Sequence, residues 1–273
     1  MKHFSLVLVA LCSIALLSTA CGDKRLKGYE KSDSGFYYKY ATKNAEGKQA
    51  QPGDFVFITL SYSSTNDSLP KFENQEMMDV FGGAPFSDDL QGVYAMLKEG
   101  EEADFIFLAD SFFKGDMKPP FLKEDDLLYF KVKINKVKTL EDFEQEEIAS
   151  IANYIKDNNV TVEPTQSGLY YIETVVGKGK KVEMGKKVTL HYDGKFLDGT
   201  VFDSSVQRGQ PFMFTLGQDS MIPGFVEGVL LMNEGGKATL LLPSSIAYGI
   251  SRPGAPIPPF APISFDIEII SVE

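Results

Sequence analysis

The stretch from Leu190 to Ser205 combines aromatic side chains with one carboxylate, around two Asp-Gly turn signals: Tyr192, Phe196, Phe202 and Asp203. Further along, the run IAYG adds the hydroxyl of Tyr248. Read alone, most aromatic residues, such as Phe214 and Phe265, indicate ordinary core. A buried carboxylate or hydroxyl is costly unless it is paired, so Asp203 and Tyr248 among aromatic residues favour a site. Phe196 lies between the two turns and receives no predicted role.

The histidine and cysteine inventory argues against nucleophilic or metal-dependent chemistry. The 273 residues include two cysteines, Cys12 and Cys21, and two histidines, His3 and His191. The first three of these four lie at the N-terminus, and His191 alternates with Tyr192, which predicts a surface strand position. We therefore expect no metal site, no cofactor and no hydrolase triad. A formal charge of -11 also argues against nucleic acid as a partner, because binding to phosphates needs a basic surface.

The N-terminus has the layout of an export signal. The apolar run Phe4–Ala20 follows MKH and precedes Cys21, and at about 17 residues it is short for a membrane span. The sequence LLSTAC resembles a bacterial lipoprotein box, although Leu17 lies four residues before the cysteine instead of three. We expect a signal peptide over 1–20 and a lipid on Cys21, followed by a tether over 21–28. The alternatives are an ordinary cleaved signal and an uncleaved anchor helix.

The rest of the chain repeats itself. SGFYY at Ser34 matches SGLYY at Ser167, and ITLSYSSTNDSLPKF aligns without gaps with VTLHYDGKFLDGTVF. Both halves then pass a PPF and close on an alternating strand. The sequence predicts two copies of one domain, over 29–138 and 164–273, with 139–163 as a helical linker. Phe143, Ile148, Ile151 and Ile155 give this linker a helical period, and Asn158-Asn159 would end it.

The pattern of each copy predicts several short strands, and only one short helix is well marked in each. Val188, Leu190 and Tyr192 alternate with polar residues, as do Ile263, Phe265, Ile267 and Ile269. In the second copy the helix begins near Pro223, which suits a first helical turn, and presents Phe225, Val229 and Met232 to a core. The predicted fold class is α+β, with an antiparallel sheet wrapped around a short helix in each domain.

The second copy resembles an FKBP-type peptidyl-prolyl isomerase over nearly its whole length. Seven blocks occur in the family's order and spacing: VTLHYDG, DGTVFDSS, PFMFTLG, MIPGFVEGV, IAYG, IPP and ISFDIEI. The resemblance implies a shallow apolar pocket with Phe225 at its floor, where the family usually has tryptophan. It implies catalytic roles for Tyr192, Phe202, Asp203 and Tyr248, and substrate-binding roles for Phe212, Met221, Ile222, Phe225, Ile257 and Phe265.

Prolyl isomerisation explains why such a site needs neither nucleophile nor metal. The X-Pro bond has a rotation barrier of roughly 18 to 20 kcal/mol, but no bond is broken. An aromatic pocket would favour the twisted, less polar imide, while Tyr248 and the Ile222 N–H hold flanking carbonyls. Asp203 would either orient Tyr192 or approach the imide carbon, and the sequence leaves both roles open.

The first copy departs from the family pattern at the site. Tyr62 and Phe72 are kept, but Glu73, Phe113 and Leu90 stand at the places of Asp203, Tyr248 and Phe225. We expect a degenerate domain used for spacing, dimer contact or peptide holding. In the second copy, Pro253 stands where many family members have histidine, which would alter substrate choice.

The leading hypothesis is a lipid-anchored prolyl isomerase that assists the folding of exported proteins. Proline-containing polypeptides are the expected partners, with macrolide inhibitors as further ligands and a homodimer left open. The expected location is the bacterial cell envelope, on the periplasmic side of the outer membrane. The alternative is a non-catalytic peptide-binding or chaperone lipoprotein, and a scaffold or adhesin is a third class.

Overall fold

A computed structural model describes residues 23–83, 90–113, 118–250 and 256–273. The predicted signal peptide, the lipidation residue Cys21 and the loop residue Pro253 lie outside these residues. Within the described ranges, no helix is both long enough and apolar enough to cross a membrane.

The first sheet is antiparallel and has six strands in the order β1-β2-β5-β6-β3-β4. These are β1 (Glu30–Lys31), β2 (Tyr37–Thr42), β3 (Phe55–Ser64), β4 (Phe72–Val80), β5 (Glu102–Leu108) and β6 (Leu127–Lys138). Two short helices accompany it, α1 (Leu90–Met96) and α2 (Ala109–Phe112). A 3-10 helix, Lys24–Leu26, precedes the sheet.

The second sheet is also antiparallel, with the order β10-β8-β12-β11-β7 and β9 paired to β8. Its strands are β7 (Tyr170–Val175), β8 (Lys187–Phe196), β9 (Val201–Ser204), β10 (Phe212–Thr215), β11 (Lys237–Leu242) and β12 (Ile263–Val272). Helix α4 (Pro223–Leu230) and the 3-10 helix Ser244–Ile246 complete it. The path β7-β11-β12-β8 matches β2-β5-β6-β3, so the two sheets share one topology. The α+β class is confirmed, whereas the domain boundaries remain predictions.

The alternation in β8 and β12 is confirmed, because Val188, Leu190 and Tyr192 are buried, and the odd-numbered apolar residues of β12 are buried as well. Helix α4 has Pro223 in its first turn, as predicted. It lies close to β11, since a Cβ on Gly228 would approach the side chain of Leu240 to 2.3 Å. Because α4 packs so closely on the sheet, Phe225 is buried in the core between them.

Helix α3 (Leu140–Asp157) joins the two sheets. Thr139 and Asp142 form a reciprocal capping box at its start, and Asn158 caps its end as predicted. The expected apolar face is only partly buried, because Phe143 is buried but Ile148 is 60% exposed. Helix α3 is therefore held by a few specific contacts and not by a continuous apolar stripe.

Candidate active site

Aromatic rings from four strands and α4 form one cluster. Phe225 is 2% exposed, and its ring centroid lies 5.3 Å from that of Phe265 and 6.2 Å from that of Tyr192. Phe212 lies 5.7 Å from Tyr192, and Phe202 lies 5.9 Å from Phe265. All four pairs are edge-to-face, the arrangement that aromatic quadrupoles prefer. The rings supply an apolar floor and walls that exclude water.

A polar trio lies at the edge of this cluster. The Tyr192 hydroxyl donates to Oδ2 of Asp203 at 2.5 Å, and Arg208 donates to Oδ1 of the same carboxylate. The second guanidinium nitrogen of Arg208 donates to the Tyr192 oxygen at 3.0 Å. Asp203 and Arg208 are both partly exposed, so the trio faces solvent on one side and the aromatic cluster on the other.

The trio has defined protonation states near neutral pH. Burial alone would raise the pKa of Asp203, but hydrogen bonds from Tyr192 and Arg208 outweigh it and hold that pKa below 3.8. Burial, and then the hydrogen bond to Asp203, raise the pKa of Tyr192 above 10. Asp203 is therefore a carboxylate, and Tyr192 keeps its proton.

The two serines after Asp203 fix the backbone around the trio. Ser205 is fully buried, and its hydroxyl accepts from the Tyr192 N–H at 2.8 Å and donates to the Tyr192 carbonyl at 3.2 Å. Ser204 donates to Asp193 and accepts from the Gln207 N–H at 2.9 Å. These bonds attach β9 and the following loop to β8, which places Asp203 beside Tyr192.

His191 lies on the opposite side of β8 from Tyr192. It is half-buried, and its Nδ1 lies 3.0 Å from the Ser205 hydroxyl. The surface strand position is thus only partly correct, because Ser205 covers one edge of the ring. His191 supports the loop from behind and takes no part in the polar trio.

Gly194 allows Phe202 and Phe265 to meet. A Cβ at this position would lie 2.8 Å from the Phe202 ring and 2.9 Å from the Phe265 ring. Real Cβ contacts do not occur at such distances, so any larger residue would displace one of the rings. The glycine is needed for the shape of the pocket wall.

The remaining predicted residues lie around the same cluster. Ile257 is buried, and Phe212, Met221 and Ile222 are partly buried and pack against the core. Ile222 caps α4 with extended backbone. Tyr248 is 44% exposed, and burial together with the nearby charge of Asp203 raises its pKa. Tyr248 therefore lies on the accessible side of the site, within electrostatic range of the Asp203 carboxylate.

A known protein family and its members match the second domain of this chain. Residues 178–270 match the family model described as FKBP-type peptidyl-prolyl cis-trans isomerase. An FK506-binding protein of Neisseria meningitidis serogroup B is 43% identical over 105 residues, which make up 38% of this chain and 96% of that protein. The chain belongs to the FKBP-type peptidyl-prolyl cis-trans isomerase family.

Longer relatives of this family match in the same region. A probable FKBP-type isomerase, FkpA, of the same Neisseria strain is 42% identical over 121 residues, covering 44% of each chain. The match therefore spans less than half the length of that relative. In a crystal structure of FkpA from Escherichia coli, 63% of that chain aligns with 49% of this one, at 32% identity and a TM-score of 0.41.

In the FKBP-type domain, the ten predicted site residues all lie within or beside the aromatic cluster. Arg208 and Gly194 were not predicted from the sequence. Arg208 is a single arginine in the loop after DSS and belongs to no repeating pattern. Arginine does form strong charge-assisted hydrogen bonds with a carboxylate, so its nearness to Asp203 in the sequence was the one available indication. Gly194 lies inside a strand pattern, where an isolated glycine indicates close approach of another group. That signal was available in the sequence.

The corresponding region of the first sheet is built differently. Tyr62 and Phe72 are neighbours at 5.6 Å, but Phe112 stacks on Phe130 at 5.0 Å. Phe130 corresponds to Phe265, so a neighbouring ring covers the place where the FKBP-type domain has its wall. Glu73 is exposed and Ser64 stands where Gly194 would be.

Strand β4 accounts for a further difference. It runs unbroken over Phe72–Val80, whereas the FKBP-type domain has β9, a loop and β10 in that region. Among the described residues of the first domain, the loop that carries Arg208 thus has no counterpart. Leu90 and Phe113, at the places of Phe225 and Tyr248, are partly buried against the first core. The predicted loss of activity in this domain stays a prediction.

Proposed function

We propose that the chain is a peptidyl-prolyl cis-trans isomerase and that the aromatic cluster of its second domain is the active site. The observation that carries this proposal is the pairing of Tyr192, Asp203 and Arg208 at the edge of a cluster of rings. The proposed substrates are proline-containing segments of exported polypeptides, and macrolides are proposed as competing ligands.

In the proposed mechanism, the proline ring enters the cluster above Phe225. Phe202, Phe212 and Phe265 surround it and remove water from the imide. Twisting about the C–N bond removes resonance and makes the carbonyl less polar, so a dry pocket stabilises the twisted state more than the planar ones. Tyr248 and the Ile222 N–H would hold the flanking carbonyls without a covalent step.

The geometry favours the positioning role for Asp203. Its two oxygens already accept from Tyr192 and Arg208. An approach to the imide carbon would break one of these charge-assisted bonds. We propose that Asp203 holds the Tyr192 ring against the bound proline and keeps its hydroxyl turned away from the pocket.

Measurement of prolyl exchange tests this function. NMR exchange rates in a series of X-Pro peptides would be compared for the soluble protein from Gly22, for an Asp203→Ala, Tyr248→Phe double variant, and for Tyr171→Phe. Tyr171 is the matched control because its hydroxyl bonds Glu173, away from the trio. We expect fast exchange in the parent and the control, and a loss of at least tenfold in the double variant.

The same assay distinguishes the alternative function. A folded parent that binds the peptides without accelerating exchange would favour a non-catalytic peptide-binding chaperone. Rapid residual exchange in the double variant would instead mean that the activity does not depend on Asp203 and Tyr248. Rapid exchange by the fragment 22–138 alone would show that the first domain is active, contrary to the proposed degenerate role.

We also propose that Cys21 carries lipid and holds the protein at the periplasmic face of the outer membrane. The support is the apolar run Phe4–Ala20, which ends in LLSTA directly before Cys21. Mass spectrometry of the N-terminal peptide from membranes should show an acylated Cys21, and Cys21→Ser should release the protein into the soluble periplasmic fraction. An unmodified Cys21 in membrane-bound protein would overturn the lipid anchor.

A further inference from the structure

Phe260 has a backbone conformation that a bulky residue rarely adopts. Its φ is 55°, in the left-handed region that is costly for residues other than glycine. Such a conformation persists only where the surroundings hold it. The Phe260 N–H donates to the Gly249 carbonyl at 2.8 Å, next to the predicted site residue Tyr248.

The ring of Phe260 reaches out of its own domain. Its centroid lies 4.7 Å from Phe143 on α3 and 5.5 Å from Phe55 on β3, in the first sheet. Phe55 and Phe143 are themselves in edge-to-face contact at 5.1 Å. A residue three positions after the pocket residue Ile257 is thus packed between the linker helix and the first domain.

One turn further along α3, Glu147 forms a second contact. Its carboxylate accepts from the Ser244 N–H at 2.5 Å and from the Ser244 hydroxyl at 2.9 Å. Ser244 is buried and begins the 3-10 helix that leads to Tyr248. Its carbonyl accepts from the Gly249 N–H at 2.9 Å, so the residue that Glu147 binds also closes the segment that carries Tyr248.

Tyr154 forms a third contact near the C-terminal end of α3. Its side chain lies beside Ser264, which directly precedes Phe265 in the pocket wall. Ser264 is buried, and burial raises the pKa of Tyr154, so the phenol remains protonated at neutral pH.

The N-terminal half of α3 is fixed to the first domain. Lys48 pairs with Asp142 at 3.2 Å, and Lys138 pairs with Glu146 at 2.6 Å and lies 4.9 Å from the centre of the Phe143 ring. The helix therefore connects the first domain to three segments of the second, and each segment adjoins a predicted pocket residue.

We propose that the first domain and α3 form a clamp that positions the substrate-binding edge of the second domain's pocket. Phe260 and Glu147 are its positioning residues, and Tyr248 and Ile257 are the groups that they place. This proposal rests on the proposed isomerase function. It gives the first domain a role in catalysis that requires no pocket of its own.

Point variants of the whole soluble protein test the clamp. The test variants are Glu147→Ala and Phe260→Gly, and the second removes the ring while relieving the backbone strain. The controls are Glu144→Ala, which removes an exposed carboxylate from the same helix, and Phe121→Ala, which replaces the exposed phenylalanine of the first PPF. The measurements are kcat and KM for X-Pro peptides and the Tm.

We expect the test variants to lose about 3- to 30-fold in kcat/KM, because small displacements of positioning groups reduce catalysis strongly. The loss should fall mainly on KM, since Tyr248 and Ile257 would contact bound substrate. Glu147→Gln keeps one acceptor oxygen and should recover part of the loss. Ser244→Ala should add little to Glu147→Ala, because the two residues share one contact. The controls should match the parent.

The outcomes separate this inference from the proposed function. A parent that does not accelerate exchange refutes the function itself. An active parent with unchanged kcat/KM in Glu147→Ala and Phe260→Gly overturns the clamp alone. If either variant is unstable, Glu147→Gln decides. The clamp is also overturned if this variant is folded and both its KM and the NMR signals of Tyr248 and Ile257 are identical to those of the parent.

Discussion

Replacement of Gly194 by alanine tests whether ring placement governs the activity. The new Cβ would lie 2.8 Å from Phe202 and 2.9 Å from Phe265. Carbon atoms prefer separations of about 3.5 to 4.0 Å, so a ring would have to retreat by about 0.7 to 1.2 Å. Overpacking of this kind costs about 1 to 3 kcal/mol of unfolding free energy.

A displacement of this size has consequences for both stability and rate. We expect the Tm of the second domain's transition to fall by roughly 4 to 13 °C. A misplacement of about 1 Å can reduce catalysis up to about 100-fold, so kcat/KM should fall roughly 10- to 100-fold. Calorimetry and NMR exchange with X-Pro peptides would measure the two effects.

Gly82→Ala is the matched control. A Cβ there would meet only the Gln91 side chain, at 3.4 Å, which is an ordinary contact. Its kcat/KM should equal that of the parent. If Gly194→Ala is folded and keeps parental kcat/KM, the rings of Phe202 and Phe265 do not shape the catalytic pocket, and the reasoning is wrong.

Three further predictions concern the polar trio. Arg208→Gln should lower kcat/KM roughly fivefold, because Asp203 and Tyr192 both lose a donor that holds them, and it should change Tm little, because the ion pair is exposed to solvent; an unchanged rate would remove Arg208 from the site. Because the pKa of Asp203 is lowered and that of Tyr192 is raised, kcat/KM should be constant from about pH 5 to 9. The stabilisation of the folded state by ionised Asp203 is present above its usual pKa of 3.8 and is lost as pH falls through its lower folded pKa. The stabilisation by protonated Tyr192 is lost only as pH rises above 10. A titration between pH 6 and 8 in the rate profile would contradict these assignments. Ser205→Ala should lower the free energy of unfolding in urea by about 1 to 3 kcal/mol, because the buried Tyr192 N–H loses its acceptor, while the Tyr192 carbonyl keeps the Ser205 N–H at 3.0 Å; Ser68→Ala, on an exposed turn, is the control.

Local sequence patterns were sufficient for much of the fold. Strict alternation predicted the buried face of β8 and β12, and Pro223 and Asn158 fixed one end each of α4 and α3. These features depend on short-range geometry, in which the period of two or the cap residue is visible in the sequence. The family resemblance supplied the site residues, which composition alone would have assigned to ordinary core.

Long-range contacts were not visible in the same way. Glu147 and Ser244 are 97 residues apart, and neither lies in a motif. The linker was expected to be a spacer with an apolar face, yet Ile148 is exposed and single contacts at Phe143 and Glu147 fix the helix instead. Such contacts depend on how two finished domains meet, and periodicity within one segment contains no information about that.

The four-residue spacing of Phe143 and Glu147 restricts how this protein can change in evolution. Each added residue turns an α-helix by about 100°, so a single insertion between these two positions would direct one of them away from the second domain. Insertions after Asp157, where the helix has ended, would leave both contacts in register. Related chains with this tandem arrangement should therefore vary in length after α3 and keep a constant length within its first two turns.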